Sequence, residues 1–84
     1  MMIDLEQIIK DHKDLAPRRF MLYRTEDISG ISGIGVVGFG ACFINGPCIL
    51  YWSGDHSSLN EYKSVEDLLY IHSHGSRTQV IWID

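Results

Sequence analysis

Apolar side chains recur at helical spacing in two stretches of the chain and at strand spacing through the rest. Leu5, Ile8, Ile9 and His12 share one face of a helix. Asp4 is placed to cap it, with Gln7 three residues on as in a capping box and Ile3 set to staple onto Ile8. This helix must end by Ala16, because Pro17 keeps its predecessor out of the α region. Val65, Leu68, Leu69 and His72 mark a second helix near residues 65–74, capped by Ser64 with Asp67 three residues on and stopped by Gly75.

Between the helices the period is two. From Arg18 to Thr25, Phe20 and Leu22 fall on one face and Met21 and Tyr23 on the other. Glu26 to Gly35 carries Ser29-Gly30 and Ser32-Gly33 and reads as a loop. Ile34 to Ile44 is β-branched and aromatic with Gly35, Gly38 and Gly40 inside, a pattern of bulged or coiled strand. Asn45-Gly46 is a hairpin turn, and Pro47 to Trp52 is the return strand. Cys42 and Cys48 flank that turn: a three-residue turn centred on Asn45 sets them opposite one another, a two-residue turn pairs Phe43 with Cys48, and the sequence leaves both open. After a polar loop over Ser53–Ser58 comes a short strand, Leu59–Lys63, of undefined pairing. Arg77 to Ile83 is apolar on both faces, which implies a strand buried on both sides. The whole predicts an α+β domain, residues 1–84: an N-terminal helix in 1–16, then over 18–84 a small curled antiparallel sheet or partial barrel of 4–5 strands with the second helix.

Composition narrows the class. At 84 residues, 45% hydrophobic, 21% charged and net charge −4, the chain is one folded domain of modest core, for which a homodimer would add stability. Five of the seven cations fall in residues 10–24, so a basic segment sits in an acidic molecule. An acidic domain lacks a broad footprint for phosphate backbones, which argues against nucleic acid as a partner. With no signal-peptide pattern and no membrane-spanning run, the expectation is a cytoplasmic protein with no membrane partner, whose cysteines stay reduced as small apolar residues.

The chemistry-bearing residues form no compelling constellation. Gly33-x-Gly35-x-x-Gly38 matches the dinucleotide fingerprint, but the residues after it read as strand where a helix is required. His72-x-His74 with His56 offers imidazoles to a metal, yet positions i and i+2 diverge around a helix, so the plainer reading makes His72 a half-buried face residue and His74 a helix-end group. The serines lie in turns or a cap, none in a nucleophile elbow. No catalytic residue, metal or cofactor is assigned.

Arg19-Phe20, Arg24, Asp27, Ser29-Gly30, Ser32-Gly33, Gly35-Val36-Val37, then Phe43, Gly46, Leu50, Trp52, and finally Ile71-His72, His74-Gly75, Thr78 and Trp82-Ile83-Asp84 form an ordered pattern. Over residues 18–84 it resembles short proteins of tailed bacteriophages and some bacteria, with their S-G-x-S-G-x-G-x-V run and H-x-H-G…W-h-D ending. The resemblance brings no activity; it implies a small accessory product of a phage or mobile element, a class that includes inhibitors of host defence. The expected function is a non-enzymatic protein-interaction module, anti-CRISPR-like, that inhibits a host or defence complex by occlusion. Loops carry binding more often than strands, so the expected contacts are Glu26, Asp27, Ser29, Ser32, Asp55 and His56. The rival is a small metal-dependent or catalytic domain using His56, His72 and His74.

Overall fold

The computed structural model describes residues 2–25, 34–54, 57–73 and 77–84. Its elements are α1 (Leu5–His12), a 3₁₀ turn (Lys13–Leu15), β1 (Arg18–Arg24), β2 (Gly35–Cys42), β3 (Cys48–Trp52), β4 (Ser58–Tyr62), α2 (Val65–His72) and β5 (Thr78–Trp82). The strands form one open antiparallel sheet in the order β4-β3-β2-β1-β5, so the segment of undefined pairing lies beside β3 and the C-terminal strand beside β1. This is a small α+β fold with two helices.

The alternation read in β1 decides what is core. Phe20 and Leu22 are buried and join Val37, Leu50 and the α2 residue Leu68 in one cluster, with Trp52, Tyr62, Leu69 and Val80 packed on it. The register between β1 and β2 slips between Leu22 and Tyr23, which pair with Gly38 and Val36. Val37 is the extra residue of this bulge and it is buried. Ser64 accepts from the Asp67 amide and Asp4 from the Gln7 amide, as the capping patterns require. The reciprocal half of the first box is absent, because the Gln7 amide group donates to Asp11 one turn on, at 2.7 Å.

Two expectations are corrected. β5 is not buried on both sides: Ile81 is 39% exposed because α2 covers one face of the sheet only, and Trp82, opposite Phe20 on the covered face, is 37% exposed because β5 is an edge strand. On the other face a row of apolar residues crosses all five strands, Leu59 beside Tyr51 beside Phe39 beside Met21 beside Ile81. The cysteines are not free either, since Cys42 and Cys48 are joined in a disulfide. The Gly46 amide donates to the Phe43 carbonyl and the Phe43 amide to the Pro47 carbonyl, which closes a three-residue turn and sets the cysteines directly opposite. Gly46 takes φ +112°, a conformation that a side chain at this position would strain.

Candidate partner-binding site

Antiparallel pairing sends the links from β1 to β2, from β3 to β4 and from α2 to β5 out of the same end of the sheet. The expected contact residues Glu26, Asp27, Ser29, Ser32, Asp55 and His56 belong to these links and lie outside the described residues, as does His74. The described residues that flank the two candidate links, Arg24 with Gly35 and Trp52 with Ser58, lie toward this one end of the sheet.

That end of the sheet is polar and closed. Arg24 is 2% exposed, and its Nε donates to Thr78 Oγ1 at 3.0 Å. Its guanidinium stands 5.7 Å from the centre of the Trp52 ring, which adds cation–π attraction to a charge removed from water. The His72 ring meets Trp52 edge to face at 4.9 Å, and His72 Nε2 is 2.7 Å from the Tyr62 hydroxyl. Burial pushes the Tyr62 phenol above its ordinary pKa, so it remains a neutral hydrogen-bonding group. Around this cluster the Thr25 amide donates to the Arg77 carbonyl at 2.7 Å, the Thr78 amide to the Ser73 carbonyl at 3.0 Å, and both the amide and the hydroxyl of Ser53 to the Val37 carbonyl. Every buried side-chain nitrogen and oxygen among the described residues has a hydrogen-bond partner.

The groups of this cluster are already engaged with one another. The half-buried His72 occupies the place read for it in the sequence, packed on the sheet through Trp52 and Tyr62. The described residues hold no group of three His, Cys, Asp or Glu side chains with metal-binding geometry. Gly35 to Gly38 lie in β2, which runs on as strand to Cys42, so the glycine pattern is a bulged strand and not a phosphate loop.

At the opposite end of the sheet a cleft of about 340 Å³ is walled by the disulfide, Phe43, Arg18, Glu66 and Trp82. The Arg18 guanidinium lies 4.3 Å over the Trp82 ring and donates to the Asp84 carbonyl. Beside it Arg19 donates to the Asp84 carboxylate from its backbone amide, Nε and Nη2 at 2.8–2.9 Å. These bonds hold the Asp84 pKa down to about 2, and the same contact raises that of Arg19. The arrangement ties β1 to the chain beyond β5 and leaves the carboxylate fully engaged.

Sequence reasoning missed Arg24 and Tyr62 as parts of the polar cluster. The signal was present for Arg24, since it continues the inward series Phe20, Leu22 two residues further on. Tyr62 had none, because its role depends on β4 pairing with β3 and on α2 returning across that edge.

The architecture and the site together define a small α+β protein in which an open sheet, covered on one face, carries a closed polar cluster at the end from which the β1–β2 and β3–β4 links leave. A family model, the Acb5 phage protein, matches residues 17–84, and the chain belongs to that family. No curated protein and no solved structure matches it. No helix among the described residues is long and apolar enough to cross a membrane.

Proposed function

We propose that this phage-family chain is a non-enzymatic interaction module that inhibits a host or defence complex, of the CRISPR-effector kind, by occupying a surface on it. The observation that carries the reading is that the strand ends bearing both candidate links lie at one end of the sheet, beside a cluster whose buried polar groups are satisfied internally. A rigid scaffold presenting clustered loops is the arrangement by which small domains bind other proteins. The acidic loop residues Glu26, Asp27 and Asp55 suit a partner that presents basic surface, such as a nucleic-acid channel. Cys42 and Cys48 are tied in the disulfide, and the Ser53 hydroxyl is spent on the Val37 carbonyl, which removes three nucleophiles from the rival reading.

Affinity capture from host lysate with tagged wild type, a Glu26→Lys/Asp27→Lys variant and a His56→Ala variant tests this. The reversal is expected to weaken capture at least tenfold, most strongly at low salt, with the thermal midpoint unchanged. His56→Ala should retain capture within a few-fold. Undiminished capture by the reversal, with loss of a turnover-dependent activity in His56→Ala, would replace this reading with the enzymatic one.

A further inference from the structure

Helix α1 and the uncovered sheet face are two apolar surfaces of one chain that do not meet. No residue of α1 is buried, and Ile3, Leu5, Ile9 and Leu15 are each more than half exposed. Facing away from α2, the apolar row from Leu59 to Ile81 is flanked by Ile49 and Ile83. The chain is extended to match: its extents are 56 × 25 × 18 Å and its radius of gyration is 15.6 Å, where a compact domain of this length has about 12 Å. It exposes 6315 Å², about 1,200 Å² more than a compact monomer of its mass, and a stable interface hides about 800 Å² per partner.

We infer that the occupant of the open sheet face is α1 of a second copy, the two chains exchanging their N-terminal arms in a symmetric dimer. Dimensions agree, since five strands span about 19 Å across the sheet, while α1 with the 3₁₀ turn measures about 18 Å. The hinge selects exchange over folding back. Only Ala16 and Pro17 separate the 3₁₀ turn from β1, and Ala16 is extended (ψ 151°), as a residue before proline must be. Two extended residues carry the arm away from its own sheet and cannot reverse it onto the face above β1. A short, stiff hinge of this kind favours reciprocal exchange between identical chains, and a twofold axis then satisfies both arms and both faces at once. The family match begins at this hinge, at residue 17, so the arm lies outside the matched residues. The interface uses neither the loop end nor its residues, and the two proposals stand or fall separately.

Sedimentation equilibrium on the full chain at tens of micromolar tests the inference. The wild type is expected at twice the 9.6 kDa of the single chain. An arm variant, Ile8→Glu/Ile9→Glu, and a face variant, Phe39→Glu, should each sediment as single chains with unchanged helix and strand content, because all three positions are exposed. Leu59→Lys, at the most exposed position of the row, serves as the face variant should Phe39→Glu unfold. Mixed in equal amounts, the arm and face variants should regain the double mass, since one intact arm then meets one intact face. A single-chain mass for the wild type, a double mass for the arm variant, or no recovery on mixing would each overturn the arm exchange, the second of these pointing to sheets packed face to face.

Discussion

Phe20 pairs with Gly40 across β1 and β2, and its ring occupies the space that a Cβ at Gly40 would need; the Ile49 carbonyl closes the same space from β3. The ring can tilt but the carbonyl belongs to the sheet ladder, so Gly40→Ala should lower stability by about 2 kcal/mol, read from the urea midpoint at constant slope. A midpoint within error of wild type would mean that the sheet relaxes there. Asp84 governs a pH window at the same scale. Its carboxyl titrates at about 2 when held by Arg19, against an ordinary 3.8, so its contribution to stability is complete above about pH 4 and disappears as pH falls toward 2. The thermal midpoints of wild type and Asp84→Asn, followed from pH 5 to pH 2, should differ by a constant at the upper end and converge at the lower. Curves that stay parallel would show that the Arg19 contact does not depend on the charge.

The β2–β3 hairpin shows how pairing chemistry acts on whole elements. Cys42 and Cys48 face one another with Cα atoms 4.1 Å apart, and the disulfide closes a loop six residues in separation. A loop that short has little chain entropy to lose, so reduction should lower stability by about 2 kcal/mol and leave the sheet formed. Loss of all cooperative unfolding on reduction would instead make the disulfide a condition of the fold. The turn was legible in the sequence as Asn45-Gly46, but its register was not, because a glycine of positive φ at position 46 suits both hairpin lengths. Both helices and all five strands could likewise be read from periodicity and caps. What could not be read was which faces stay uncovered. Arg77 to Ile83 is apolar on both sides, and a local pattern cannot tell a strand buried by its own domain from one whose second face awaits another chain. The polar cluster escaped for a related reason, since Arg24, Trp52, Tyr62 and His72 meet only once β3, β4 and α2 are placed around β1.

At the scale of the molecule three regions have separate tasks. α2 closes one face of the sheet over the core, the Arg24 and His72 cluster closes the end of the sheet from which the candidate links leave, and the arm and the opposite face remain apolar and open. Membership of the Acb5 phage protein family places this architecture among short phage proteins, and the proposed occlusion of a host or defence complex is a claim about stoichiometry. Purified chain titrated into the captured partner at a concentration well above the dissociation constant measures that directly. An occluding module lowers the partner's activity in a straight line that reaches its floor when binding ends on the chain equal binding surfaces on the partner, and the floor does not change with incubation time. A floor reached with a small fraction of that amount, deepening as incubation is prolonged, would contradict occlusion and require turnover by the chain.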